Sequence, residues 1–573
     1  MTRAAAQRQT VNAAATLQRR LPLLIAVACL VGAGHATAGI LPSLNSRTSA
    51  ALHERPPGVP ADAELERAGA VVGEITIVVS DLFDTRLPEE NTSLFRLANR
   101  LHIETRDNTI RHQLLFVPGQ AYEGRLLDET ARLLRTQRYL RDAWVRPVAW
   151  HDGQVDVEIE VQDVWTLNPG LSFGRKGGNN STGFELEELN LFGTGTQVSL
   201  ASKSNIDRDS TRFVFRDQQL GRTRWGIDAE WEDNSDGLLH ALQLERPFYS
   251  LDTRWTAGAA YSRHERIESR YDLGEINDQF AADSRGGSAW VGWSRGLRSG
   301  RATRYRIGYT VDETRFRPVS GENPTRLLPT DRKLAYPWVA VEWAEDEFRT
   351  ERDRDQIGRT EDVGLGLQAG LRVGYLDRAL GADRSGLITG LTAARGWQLS
   401  ERQTLQWQAR ASGRLESGTV RDALLGTSVQ YYFRQSPRRV LYLGFSTLDG
   451  RNLDADRQVL LGGDNGLRGY PLRYQSGTSR WLFTAEQRLF SNWYPFRLFN
   501  VGGAVFYDMG RVTGTDPLGS APRGVLHDIG VGLRLGNGRS ALGNVIHIDL
   551  AVPLDRDPSI DNVQFIVETR RSF

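Results

Sequence analysis

Two oppositely charged residues sit in settings that could do chemistry together. Arg468 lies in Gly462-Gly463-Asp464-Asn465-Gly466-Leu467-Arg468-Gly469-Tyr470, and Asp508 in Gly502-Gly503-Ala504-Val505-Phe506-Tyr507-Asp508-Met509-Gly510. Glycines around Leu467-Arg468 describe a tightly folded loop that presents a guanidinium group, and a loop of that kind needs a partner. A carboxylate on a strand can receive it through two parallel charge-assisted hydrogen bonds, which fix orientation as well as distance. That is clamp chemistry, with no covalent bond made or broken. The same residues would also make an ordinary hairpin loop beside an ordinary glycine-bearing strand, so the setting has to decide.

Other reactive side chains form no compact motif. His102, His112 and His151 lack the paired spacing of metal ligands and read as surface or packing residues. His527-Asp528 reads as strand or loop packing, and Asp449, Asp454 and Asp456 as solvated loop carboxylates without a cation-binding pattern. No Gly-x-Ser-x-Gly nucleophile turn occurs in the N-terminal part. No enzyme, metal or cofactor is therefore expected. Arg125, Arg132, Arg135, Arg138 and Arg141 can project from one side of a helix; they read as a solvated face, with client or lipid-headgroup contact as the alternative.

The elements that would position these residues begin after a targeting segment. Arg19-Arg20, the apolar run 21–34 and Ala36-Thr37-Ala38 have the three regions of a secretory signal peptide, so residues 1–38 are assigned to it. A retained anchor, or lipidation at Cys29, is the alternative. Cys29 is the sole cysteine, so cleavage after Ala38 leaves no thiol chemistry and no disulfide. Residues 39–70, with Pro42, Pro56, Pro57 and Pro60, read as a flexible linker. Residues 71–166 read as a small α+β domain: a β-rich run at 74–79, helices at 91–102, 109–116 and 125–140, then strands at 143–150 and 155–161 turning at His151-Asp152-Gly153.

From 167 to 573 the pattern has a period of two. Trp225, Ile227, Ala229 and Trp231 alternate with Gly226, Asp228 and Glu230, and Val363 to Tyr375 carry one long apolar face against glycine, glutamine and arginine. A net charge of +1 with 25% charged residues gives no basic signal for nucleic acid. Mean hydropathy is −0.42 and no apolar run is long enough to span a bilayer as a helix, but a transmembrane barrel shows lipid only every second residue. A soluble sandwich would also alternate; the secretion signal and the polar face opposite an aromatic-aliphatic band favour the barrel. At about 25 residues per strand with its connection, this region holds roughly 16 strands, with long loops around 261–285 and 313–334. Putting Val501, Val505, Tyr507 and Met509 toward lipid turns Asp508 inward. The last run ends on Phe565, Val567, Thr569, Arg571 and Phe573 in one parity.

Those motifs together resemble the Omp85 superfamily, in its bacterial surface antigen or BamA/TamA-like branch, over residues 71–573. Gly462-Gly463, Leu467-Arg468-Gly469-Tyr470 matches the lid loop, Phe506-x-Asp508-x-Gly510 the strand that receives it, and Phe565, Val567 and Phe573 the terminal sorting signal. The resemblance implies an all-β transmembrane barrel of 16 antiparallel strands, a lid folded into its lumen, and a weak contact between first and last strands. It implies that 71–166 is a single periplasmic polypeptide-transport-associated (POTRA-like) domain, where larger members carry several. Arg468 would carry the lid's charged contact to Asp508, Gly469 would permit a sharp bend, and Tyr470 would wedge the loop against the wall. The function implied is insertion or translocation of a specialised polypeptide client, with a passive pore, a lipid-handling barrel or a surface-binding antigen as alternatives. Expected partners are outer-membrane lipid and lipopolysaccharide, a polypeptide client and accessory envelope proteins, without nucleic acid. The expected location is the outer membrane of a Gram-negative bacterium, with the N-terminal domain in the periplasm.

Overall fold

The β-branched run at the head of the N-terminal domain forms strand β1 (Val71–Ser80), and the chain returns as the hairpin β2 (Leu140–His151) and β3 (Gln154–Asp163). Asp152 and Gly153 both take positive φ in its two-residue turn, as a tight hairpin turn requires. The sheet order is β1-β3-β2, with β1 parallel to β3. Helices α1 (Asp62–Arg67), α2 (Ser93–Leu101), α3 (Asp107–Arg111) and α4 (Gly124–Arg135) pack around it. Leu126, Leu127 and Leu134 of α4 meet the buried face of β3, Val155, Val157, Ile159 and Val161, in one core. Helix α1 falls inside the stretch read as linker. Its Leu65 is fully buried in that core, and the Tyr122 hydroxyl donates to Asp62 at 2.6 Å.

The structure is a computed structural model that describes residues 54–570 apart from 322, 520–522, 541–544, 556 and 559. The expected signal peptide, the first part of the expected linker and Phe573 lie outside the described residues. Residues from Arg55 onward form one compact unit.

Beyond the domain, a closed barrel runs from its first strand, Leu167–Lys176, to its last, Gln564–Arg570, each wall strand antiparallel to its neighbours. Residues such as Leu171, Trp231, Val291, Trp293, Val339 and Val531 face outward and are exposed. A closed wall with so apolar an exterior has lipid for its solvent, and pairing between neighbouring strands supplies the backbone hydrogen bonds that lipid cannot.

The barrel has 20 strands among the described residues, which corrects the expected 16. Two stretches read as loops are strand as well, which lengthens the strands on either side of them. Residues 261–285, read as a long loop, lie within the paired strands Trp255–Asp272 and Glu275–Arg298, joined through Leu273 and Gly274 in positive φ. The expected loop at 313–334 likewise begins inside Arg301–Pro318 and ends inside Arg332–Glu345. At about 3.3 Å per residue, the 24-residue strand Glu275–Arg298 is roughly 80 Å long, well beyond a hydrocarbon core of about 30 Å. Its outer part has water on both sides and needs no apolar face, so alternation cannot reveal it. The count itself exceeds 16 because short turns make the allowance per strand smaller than the assumed value of about 25 residues.

Two hairpins stand apart from the wall. One, Phe348–Arg352 with Thr360–Gly364, arises at the end of the barrel that carries the N-terminal domain, here the near end. The other, Val459–Leu461 with Gln475–Gly477, belongs to a loop at the far end.

Candidate functional site: the lid clamp and its supports

The far-end loop leaves the wall after Arg439–Arg451 and re-enters it at Ser479–Phe490. Its small hairpin sets the base, and residues 462–474 fold inward from it. Gly466 takes φ +114° with the place of its missing Cβ 2.4 Å from a Leu482 methyl, so only glycine fits. Gly469 contributes room and no left-handed bend: a Cβ there would lie 2.7 Å from the Cβ of Asp528.

These constraints deliver Arg468 to the inner wall, 4% exposed. Its Nε and Nη2 donate to the two oxygens of Asp508 at 2.7 and 3.1 Å, and Nη1 donates to Glu486 Oε2 at 2.9 Å. The guanidinium carbon lies 3.3 Å from the centroid of the Phe506 ring. The Gly469 N–H donates to Asp528 Oδ2 at 3.0 Å. Tyr470 is fully buried; its hydroxyl meets the His527 carbonyl at 2.8 Å and the Asp555 carboxylate, and its ring centroid lies 5.8 Å from that of Tyr474. Gly510 brings its strand against Leu461, whose methyl would lie 3.1 Å from a Cβ there. Gly463 passes Tyr470 closely, and Gly462 passes Pro471 and Arg473. Phe565 and Val567 sit on the last strand, where Val567 faces Arg175.

Several members of this cluster escaped the sequence reading. Glu486, Arg488, Asp528, Arg534 and Asp549 are all buried in the same wall region. Arg534 pairs with Asp549 and approaches Glu486 at 3.5 Å; Asp549 comes within 3.7 Å of Arg468. Asp528, Arg534 and Asp549 are charged residues in largely apolar alternating strands, the setting of Asp508, whereas Glu486 and Arg488 share a strand with Arg480, Thr484 and Gln487. His527 and Asp528 are neighbours on one strand and therefore point to opposite faces. His527 Nδ1 meets the Tyr507 hydroxyl at 2.6 Å while Asp528 binds the lid.

Asp454 and Asp456 are ion-paired, which corrects the reading as solvated carboxylates. Residues 452–458 cross the far mouth: Asp454 meets Arg332 at 3.0 Å and Arg414 at 2.9 Å, Asp456 meets Arg332 at 2.8 Å, and the Ala455 carbonyl accepts from Arg270 at 2.9 Å. Arg473 binds Asp207 at 2.5 and 2.6 Å on yet another side.

The near-end hairpin enters the lumen from the opposite direction. Ile357 at its tip packs among Tyr432, Val440, Phe490, Ala504 and Val545 of the wall. Asp355 accepts from Arg488 Nη1 at 3.0 Å, and Arg488 Nε in turn meets Glu486 at 3.0 Å. Arg468, Glu486, Arg488 and Asp355 thus form an unbroken series of charged contacts from lid to hairpin. The hairpin continues it to the N-terminal domain: Thr360 donates to Asp142 at 2.6 Å, and Arg135 grips both oxygens of Asp362 at 2.7 and 2.6 Å.

The arginines read as a solvated face are spent on that junction. Arg125 pairs with Asp252 at 2.5 Å, Arg132 with Asp346 at 2.9 Å and Arg138 with Glu187 at 3.1 Å, all on the barrel, and Arg141 reaches the Gly358 carbonyl at 3.5 Å. Their partners lie far away in sequence, so spacing alone had no way to find them. His102 meets Asp163 and His151 meets Asp156, both at 3.0 Å.

Among the described residues the seam is the least paired junction in the wall. There the first and last strands share a single register pair, Val567 with Arg175, whereas the neighbouring pairs Leu167–Lys176 with Asn179–Leu191 and Val545–Pro553 with Gln564–Arg570 run through ten and seven positions. A side-chain bridge, Lys176 to Glu568 at 2.8 Å, adds to it.

No protein-family model matches the chain, and no curated protein matches it. Among solved structures it is similar to BamA from Haemophilus ducreyi lacking POTRA domains 1-3, at 12% identity and a TM-score of 0.37, over 87% of this chain and 85% of that one. It is also similar to CdiB from Acinetobacter baumannii (12%, TM-score 0.41, 88% and 73% of the two chains) and CdiB from Escherichia coli (12%, TM-score 0.43, 92% and 96%).

Proposed function

We propose that this chain is an Omp85-type outer-membrane insertase or translocation factor serving a specialised polypeptide client, with residues 71–166 as a single POTRA-like domain on the periplasmic side. The observation that carries the reading is the pairing of a one-register seam with a lid held by a buried arginine clamp. A wall strand with unpaired backbone groups can accept an incoming client strand by edge addition, and the clamp holds the neighbouring wall in shape while it does so. The work is mechanical and interfacial, and needs no covalent step. Client, lipopolysaccharide and accessory envelope proteins would meet the barrel from its two ends and its lipid face. A passive pore fits less well, because 452–475 cross the far mouth and the hairpin occupies the near one.

Quantitative outer-membrane proteomics after acute depletion tests this, with an Arg468→Ala strain in parallel. Selective loss of one protein or a small set, rescued by the native chain and not by the variant, is expected. An envelope proteome unchanged under near-complete depletion would reject protein assembly.

A further inference from the structure

Helix α2 has three faces. Phe95 faces the domain, stacked on Phe83 at 4.1 Å between centroids, with Asn99 bonded to the Phe83 backbone at 3.1 and 2.9 Å and His102 to Asp163. Leu94, Leu97 and Leu101, spaced i, i+3, i+7, form a second face and are 67%, 50% and 63% exposed. Arg96 and Arg100 follow on a third, exposed face. A leucine stripe of this kind on a domain surface calls for an apolar neighbour.

Its position on the barrel identifies that neighbour. Just before α2, Glu89 pairs with Arg497 at 3.0 Å and Glu90 with Arg539 at 2.6 Å, while Leu498 packs against the Phe83 and Phe95 cluster. Just after it, the Arg106 N–H donates to the Gly193 carbonyl at 3.0 Å. The helix therefore runs along the near rim from the connection at 491–498 to the one at 192–195, passing the first and last strands between them. Both connections carry exposed aromatics: Trp493 and Phe496 at one end, Phe192 at the other. Aromatic residues at a barrel rim mark the membrane interface. At the seam no turn joins the two strands, and among the described residues Leu94, Leu97, Leu101 and Ile103 continue the apolar girdle past it.

We propose that α2 is an interfacial membrane helix, its leucine stripe seated in the near-end phospholipid leaflet directly beneath the seam and its arginines at the headgroup level. This surface goes beyond the clamp and the client: it fixes the N-terminal domain to the bilayer at the place where the wall is least paired.

The test uses the full chain carrying Cys29→Ser, with single Leu97→Cys or Leu101→Cys labelled by an environment-sensitive fluorophore. Phe173→Cys on the lipid-facing first strand and Asp152→Cys on the exposed β2–β3 turn serve as references. Each protein is reconstituted in phosphatidylethanolamine and phosphatidylglycerol vesicles with and without brominated acyl chains, and heat-modifiable gel mobility verifies a folded barrel. Blue-shifted emission and bromolipid quenching at Leu97 and Leu101, approaching those at Phe173, are expected. Bromolipid quenching indistinguishable from the Asp152 reference would overturn the proposal, whether the emission is unshifted, as for a bare stripe, or blue-shifted, as for one covered by protein. No client is needed, so failure here is separate from failure of the assembly reading.

Discussion

At the scale of single residues, the clamp is an over-determined arginine. Three of its nitrogens donate to two carboxylates, and an aromatic ring lies against its plane. Buried ion pairs add little net stability because desolvation offsets their attraction, yet removing one partner leaves a charge stranded and costs several kcal/mol. Asp508→Ala should therefore loosen the lid by about 3 kcal/mol, the lower end of that range, because Glu486 stays in contact. Hydrogen exchange at the amides of 466–470 should rise on the order of a hundredfold; unchanged exchange would remove Asp508 from the clamp. Arg468 and Asp508 were legible in the sequence because each interrupts its surroundings, one a guanidinium among glycines and the other a carboxylate in an apolar strand. The rest of the cluster follows the same parity rule but sits in strands with no motif to draw attention to them.

At the scale of elements, the near-end hairpin is the piece that the sequence concealed. Its Glu361 accepts from the backbone N–H groups of Arg354, Asp355 and Gln356 and so folds the tip. Burial, reinforced by the nearby Asp355 carboxylate, pushes the Glu361 carboxyl up to about 7 against the pull of those N–H groups. A raised carboxyl pKa means the folded hairpin binds a proton that the released hairpin gives up between its ordinary 4.5 and about 7. Tip stability is then fully present below that window and falls as pH rises through about 7. Exchange at 354–356, corrected for its intrinsic pH dependence, should be faster at pH 8 than at pH 5.5, and Glu361→Gln should flatten the difference. A profile unaffected by Glu361→Gln would dismiss this group. Helix α4 teaches a related lesson: its amphipathic spacing was readable, but its arginines act through acids on other elements, which only the packed chain supplies.

At the scale of the whole molecule, the barrel is closed, and among the described residues its least paired junction is the seam. Arg175 and Val567 face each other across it as a register pair, where Cα atoms lie about 4.5 to 5.5 Å apart and suit a disulfide. The double variant Arg175→Cys/Val567→Cys should support client assembly when reduced and lose it when oxidised. Full complementation by the oxidised form would show that the seam need not open. Lys176 to Glu568 is half-buried and worth only about 1 kcal/mol at most, so backbone pairing sets the strength of this junction.

The sequence by itself determined the α+β domain followed by a lipid-facing barrel, and it picked out the lid arginine with its inward carboxylate. Those follow from local rules: periodicity of two or of 3.6, the side-chain parity of a strand, and the backbone freedom of glycine. Tertiary structure alone decided the count of 20 strands, the hairpin in the near mouth, the pairing of Asp454 and Asp456, and the arginine latch between domain and barrel. Strand segments beyond the bilayer have no apolar face to betray them, and an ion pair between residues hundreds of positions apart leaves no trace in the spacing of either.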